Sequence, residues 1–296
     1  MSEAPGIDEE GLLRAVEGAL APDSARPVRA ARLASAGAKA DRRVWRVWLS
    51  DGRSIKARDF VFAAEAEANS AFLGWIAADP SLGSAFAPNL GRSGPLVLEA
   101  WIDGTPVGGD ANGAWAEAAG TLLGRLHALA RPEIAAAPPR DWADATCECL
   151  GAFAARGLLT RAMTEDLVSR VRAEDPGPTP CVLAHRDWCA QNLVVVDGER
   201  LCAIDNERFA LDTAGLDLGR VWSRWPLSVV GWRRLLAGYR ASPAPDPGPL
   251  SFWEIVGATW SAWLRVDAGE ALRDFSFARL KMIGERSPSL VHTRDG

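Results

Sequence analysis

The sequence predicts an α+β fold in two lobes, a small strand-rich lobe followed by a larger helical one. Three observations carry this. Strand-like runs with turn signals crowd the N-terminal third. From Trp115 onward apolar residues recur at helical spacing. Between the two patterns, Asp103-Gly104-Thr105-Pro106 breaks a short apolar strand. The expected boundaries are residues 1–98 for the first lobe, 99–104 for a hinge and 105–296 for the second lobe, with a cleft between the lobes.

The elements follow in order. Ile7, Leu12, Leu13, Val16 and Leu20 share one side of a helix. Residues 28–33 and 44–49 read as strands, and Ser50-Asp51-Gly52-Arg53 turns the chain into a third over 54–58. A helix over 63–77 carries Glu65, Glu67, Phe72, Leu73 and Ile76. Residues 96–102 form the next strand. Trp115, Ala119, Leu122, Leu126 and Leu129 then form a helical stripe, and helices continue to about residue 173. Residues 193–196 and 201–204 read as strands around an Asp197-Gly198 turn, and the chain is helical from Leu216. The Pro-rich stretches 175–180 and 242–249 are loops, and residues 287–296 form a polar tail.

Composition excludes several classes. The 296-residue chain is 48% apolar and 24% charged, ordinary for a globular protein. A net charge of −5 argues against nucleic acid, whose phosphates require basic patches. No signal-peptide pattern and no long apolar run is read, so a cytoplasmic protein without a membrane span is expected. The five cysteines lack zinc-type pairing and are expected to be reduced thiols.

The run His185-Arg186-Asp187-Trp188-Cys189-Ala190-Gln191-Asn192 carries the chemistry. It spells H-R-D-x-x-x-x-N and resembles the catalytic loop of the kinase fold. There the Asp engages the hydroxyl that attacks the γ-phosphate and the Asn holds a magnesium ion. Asp187 is thus the candidate catalytic residue, and His185 is expected to brace the loop. Asp205, in Ala203-Ile204-Asp205-Asn206-Glu207, falls where a second metal-binding carboxylate is needed. Asn192 and Asp205 are therefore the expected Mg2+ ligands, since side-chain oxygens suit that hard cation.

The nucleotide needs a cation and a cradle. Lys56 in Ser54-Ile55-Lys56 resembles the end of a kinase V-A-I-K strand, with Arg58 on the same face as competitor. Its ion-pair partner is expected on the following helix, with Glu67 chosen and Glu65 in reserve. Two residues apart on a helix point about 200° apart, so only one of them can face inward. Ser35 and Gly37 lie in a small-residue turn suited to phosphates, although a plain hairpin reads equally well. Glu99 to Trp101 would supply the hinge backbone for the base.

Together these residues resemble the aminoglycoside phosphotransferase and choline kinase-like family, over about residues 28–240. The strongest parts are 183–195, 203–207 and 211–218; Leu122-Leu123-Gly124-Arg125-Leu126-His127 resembles the family's L-x-x-L-H helix. The resemblance implies a bilobal protein-kinase-like fold, Mg2+, ATP or GTP as donor and a small-molecule alcohol as acceptor. It also implies support from Asp217 and acceptor contacts from Glu207 and Asp212. Asn206 replaces the family's aromatic, Gln191 its usual Gly and Trp188 a common Leu. A protein kinase fits less well, because Asp205-Asn206-Glu207 is not D-F-G and no A-P-E follows.

The implied acceptor is cationic: an aminoglycoside or a viomycin/capreomycin-type peptide antibiotic, giving resistance. The alternatives are choline, ethanolamine, thiamine or homoserine, or a pseudokinase without turnover. Glu207, Asp212 and Asp103 could supply carboxylates, and Trp222, Trp225, Trp232, Trp253, Trp260 and Trp263 could supply aromatic faces. Trp253, Val256, Trp260 and Trp263 fall on one helical stripe, which favours a core role for them. The oligomeric state is not legible.

Overall fold

The computed structural model describes residues 8–22, 24–33, 43–108, 113–267 and 270–285. In chain order the elements begin with α1 Glu9–Ala19, β1 Pro27–Arg32, β2 Arg43–Leu49, β3 Ser54–Asp59, α2 Ala63–Ala77, β4 Asn89–Ser93, β5 Leu96–Ala100 and β6 Thr105–Pro106. There follow α3 Ala116–His127, α4 Pro132–Ala136, α5 Ala143–Ala155, α6 Arg161–Ala173, β7 Cys181–Ala184, β8 Leu193–Val196 and β9 Arg200–Ala203. The last are β10 Ala210–Thr213, α7 Ala214–Arg224, α8 Val229–Arg240, α9 Leu250–Trp263 and α10 Glu270–Gly284. This is the mixed fold expected, an antiparallel sheet N-terminally and helices C-terminally.

Contacts divide the chain into two compact units, residues 1–105 with 194–207 and residues 106–193 with 208–296. The expected boundary left 194–207 with the second lobe. The segment joins the first unit because the Ala203 N–H donates to the Ala85 carbonyl at 2.8 Å and Ala203 bridges Phe86 in parallel. Asp197 (φ 53°) and Gly198 (φ 75°) both adopt positive φ at the centre of the β8–β9 turn, which the Glu199 N–H closes by donating to the Val196 carbonyl at 3.2 Å.

In the first unit a five-stranded antiparallel sheet runs in the order β1-β2-β3-β5-β4. Strand alternation sorts its residues. Trp45, Val47, Leu49, Ile55, Ala57, Leu96 and Leu98 pack with Leu12 and Val16 of α1 into one core. The opposite face carries Lys56, which sits in register with Arg46 on β2 and Glu99 on β5. Asp8 caps α1 by accepting from the Gly11 N–H at 2.7 Å. Strand β4 was not expected from sequence. It pairs along β5, and Gly91 is needed because a Cβ there would collide with the Ala19 carbonyl of α1.

In the second unit α5, α6, α9 and α10 enclose a core that includes Phe153, Leu167, Phe252, Trp253, Val256 and Leu280. Helix α7 crosses α9 at Gly219 and Gly257, where either Cβ would strike the other helix's backbone. Strands β7 and β10 form an antiparallel pair, with Leu183 opposite Leu211 and Val182 opposite Asp212. They hold the segment 185–192 at one end and the start of α7 at the other. Of the tryptophan stripe expected in the core, Trp253 is fully buried with Val256, Trp260 is partly buried against that core, and Trp263 at the end of α9 is 39% exposed.

Candidate active site

In the second unit, β7 leads into His185-Arg186-Asp187. The backbone turns at Arg186 with φ 60°, a left-handed conformation that is costly for a residue with a Cβ. Asp217, at 0% exposure on α7, secures that turn. Its carboxylate accepts the His185 N–H and the Arg186 N–H, each at 2.7 Å. His127 Nε2 lies 3.1 Å from the same carboxylate, and His127 Nδ1 lies 3.0 Å from the Tyr239 hydroxyl. Burial alone raises the Asp217 pKa, but the His127 bond and the charges of His127 and His185 hold it below the ordinary carboxylate value. The His185 ring is fully buried, edge-on to Trp188 and Phe209 at 5.1 Å from each. A ring placed there braces the loop.

Asp187 is buried. Asn192, in the 3-10 turn Ala190–Asn192, donates through Nδ2 to the Asp187 carbonyl at 2.8 Å and to its carboxylate at 3.3 Å. The Asn192 amide nitrogen is thus occupied, and its side-chain oxygen is the atom left for a ligand. Two arginines of α7 also reach Asp187 Oδ1: Arg220 Nη2 at 2.9 Å, and Arg224 Nη1. Sequence reasoning missed both. They lie more than thirty residues downstream, and only the packing of α7 brings them round.

In the first unit, Lys56 Nζ lies 3.0 Å from Asp205 Oδ1 and 3.8 Å from both Glu99 Oε1 and Glu207 Oε2. Arg58 pairs with Glu207, so of the two competing cations it is Lys56 that holds Asp205. The expected Lys56–Glu67 pair does not form. Helix α2 buries Ala66, Asn69, Leu73 and Ile76, and that phase leaves Glu65 and Glu67 exposed. Glu99 takes the role instead, directly across the β3–β5 ladder. Its other oxygen accepts from Asn206 Nδ2 at 3.2 Å, and Asn69 Nδ2 donates to the Asn206 carbonyl at 2.9 Å. Asp205 has φ 61°, left-handed like Arg186 and Asp197, and its side chain is 27% exposed.

Other expected sites fare differently. Ser35 and Gly37 lie outside the described residues. At the hinge, the Trp101 N–H donates to the Ser54 carbonyl at 3.3 Å, and the Trp101 indole donates to Asp103 at 3.0 Å beneath the Arg46 guanidinium. The acceptor carboxylates are engaged internally. Glu207 belongs to Arg58 and Lys56. Asp212 accepts from Trp142 Nε1 at 2.9 Å and lies 3.5 Å from Arg186 Nε. Burial raises its pKa against the pull of Arg186. Trp260 packs edge-on to Trp142 at 5.3 Å, with the Arg186 guanidinium 5.9 Å from its ring. Among the described residues no group of three or more His, Cys, Asp or Glu could hold a metal by itself, and no helix is long and apolar enough to cross a membrane.

A family model described as a phosphotransferase enzyme family matches residues 32–253. The chain therefore belongs to that family, and it is a small-molecule phosphotransferase. Solved structures share its fold over most of the chain. Spectinomycin phosphotransferase APH(9)-Ia, in complex with ADP and spectinomycin, is 14% identical, covers 98% of each chain and has a TM-score of 0.66. The macrolide 2'-phosphotransferase MphH from Brachybacterium faecium is 18% identical over 92% of this chain and 97% of its own, with a TM-score of 0.64. A choline/ethanolamine kinase family protein from Mesorhizobium loti is 18% identical over 91% and 93%, with a TM-score of 0.61. A comparison with curated protein sequences finds no match.

Proposed function

We propose that this protein transfers the γ-phosphate of ATP or GTP to a hydroxyl of a small molecule, with Asp187 receiving the attacking hydroxyl. The observation that carries the reading is the Asp187–Asn192 pair. A buried carboxylate is fixed by an amide nitrogen that also donates to the carbonyl of the same residue. Asn192 and Asp205 fit a magnesium ion, because both offer hard oxygen donors and Asp205 retains exposure. When bound, that ion would neutralise charge on the nucleotide phosphates. Lys56, steadied by Glu99 and Asp205, supplies the fixed cation for those phosphates. The ADP held by one structure of similar fold favours an adenine nucleotide.

An antibiotic acceptor is one candidate, since spectinomycin and macrolide phosphotransferases share the fold. A choline-type acceptor is another. The carboxylates expected to greet a cation are committed elsewhere, so the geometry gives neither cation an advantage. The test is a panel of ATP and GTP with Mg2+ against aminoglycosides, tuberactinomycins, macrolides, choline and thiamine, with phosphorylated product read by mass. A phosphorylated acceptor formed only with Mg2+ supports the reading. Magnesium-dependent nucleotide binding that survives Asp205→Ala unweakened defeats the metal assignment.

A further inference from the structure

Helices α3 and α8 meet through their backbones. A Cβ at Gly120 would collide with the Leu235 carbonyl of α8, and one at Gly238 with the Glu117 carbonyl of α3. Glycine at these crossing points lets the two helices close in. His127 ends α3 and Tyr239 stands in the last turn of α8, so the same packing brings their rings together, edge-on at 5.6 Å. Both residues are buried. The chain has 13 Trp, 9 Phe and this single Tyr. A Phe would supply the same ring, so what Tyr239 adds at this place is its hydroxyl.

The protons around His127 can be counted. Its Nε2 lies 3.1 Å from Asp217 Oδ2, an oxygen that also accepts the His185 N–H, while Asp217 Oδ1 accepts the Arg186 N–H. With backbone N–H groups on both oxygens the carboxylate is an acceptor throughout, so Nε2 has to bring a proton. In a neutral imidazole the other nitrogen is then a bare acceptor, and a buried acceptor needs a donor. The Tyr239 hydroxyl stands 3.0 Å from that nitrogen and 3.4 Å from the Pro245 carbonyl. Burial, together with the charges of Asp217 and Asp246, pushes the phenol above its ordinary range, so it keeps the proton it donates.

We infer that Tyr239 is a positioning residue for phosphoryl transfer: its hydroxyl donates to His127 Nδ1 and so keeps the Nε2–H on Asp217, the carboxylate that holds the turn presenting Asp187. The inference rests on the phosphotransfer reading above and extends the support of Asp187 to a helix more than fifty residues downstream. Tyr239 touches no reacting atom, and no proton travels along the line during turnover. The line sets an orientation. Without the hydroxyl, Nδ1 is a buried acceptor with a lost donor, and the ring gains by turning or changing tautomer. A ring that turns a bare nitrogen to Asp217 repels the carboxylate. The Arg186 turn, strained at φ 60°, then loses part of its anchor, and Asp187 is aimed for less of the time.

The test begins with Tyr239→Phe, which removes one oxygen and keeps the ring. The chain has 3 His, so nitrogen-15 NMR can read each imidazole. One ring of wild type should show a protonated Nε2 and a bare, hydrogen-bonded Nδ1, and that Nδ1 resonance should move to the position of an unbonded nitrogen in Tyr239→Phe. The kinetic arm uses MgATP with water as acceptor, read by phosphate release, so that it needs no identified alcohol. Tyr239→Phe should lower kcat about three- to tenfold while the KM for ATP moves less than about twofold. In a His127→Asn background the same change should alter kcat less than about twofold, because the hydroxyl acts through the ring. A general packing role would instead give the same loss in both backgrounds. The inference is overturned by a wild-type ring with a protonated Nδ1, by no imidazole responding to Tyr239→Phe, by an unchanged kcat, or by equal losses in the two backgrounds. Should His127→Asn not fold, the nitrogen resonance and the split between kcat and KM in Tyr239→Phe still decide. A wild type that neither binds MgATP nor releases phosphate sinks the phosphotransfer reading, and the nitrogen resonance then judges the hydroxyl–imidazole bond alone.

Discussion

Asp217→Asn is the sharpest perturbation of the catalytic loop, because it changes one charge and almost no volume. The native carboxylate, itself fully buried, receives two backbone N–H groups at 2.7 Å and lies 3.1 Å from His127. An amide offers one oxygen, and its NH2 must face one of those donors. One hydrogen bond to a charged acceptor is then lost and a buried N–H is stranded, together about 3–5 kcal/mol. For the second unit that corresponds to a fall in melting temperature of about 6–20 °C, read by calorimetry or circular dichroism. The pH dependence carries its own sign. Asp217 has a folded pKa below its unfolded one, so its stabilisation is complete above the ordinary carboxylate range and is lost as the pH falls below about 4. Asp217→Asn should therefore flatten the acid limb of the stability curve. It should also lower kcat, because the left-handed Arg186 turn that aims Asp187 loses its anchor. A variant that melts within about 2 °C of wild type with unchanged kcat would refute the reasoning.

Three further substitutions separate the roles assigned above. Glu99→Ala should cost about 2–3 kcal/mol and raise the KM for ATP, since Lys56 and Asn206 lose a partner, whereas Glu67→Ala should leave both within error in the same denaturation and kinetic assays. Asp212→Asn keeps the bond from Trp142 and removes a charge that burial disfavours; its stability should stay within about 1 kcal/mol of wild type by urea denaturation at pH 7. Gly219→Ala drives a Cβ into the Trp253 carbonyl, and a loss of about 3 kcal/mol is expected in the same assay.

Much of this was legible in the chain. Strand alternation put Lys56 on the polar face of β3, and the H-R-D-x-x-x-x-N spacing placed Asp187 beside Asn192. The misreadings have physical causes. Helix α2 is rich in alanine, so its sequence barely distinguishes its faces, and Glu67 was chosen where tertiary packing turns Asn69 inward. The Lys56–Glu99 pair could have been found, since the two residues sit opposite each other once β3 and β5 are aligned. Strand β4, Asn-Leu-Gly-Arg-Ser, has little strand character of its own and forms because β5 and α1 accept it. The convergence of Arg220 and Arg224 on Asp187 depends on a helix crossing that no local pattern announces.

The central claim is that Asp187 aims a small-molecule hydroxyl at a nucleotide phosphate. The direct measurement is magnesium-dependent formation of phosphorylated acceptor by wild type and Asp187→Asn, alongside nucleotide affinity by calorimetry. The account predicts a kcat lower by about two to four orders of magnitude in the variant, with nucleotide affinity retained. Turnover at the wild-type rate in Asp187→Asn would contradict it.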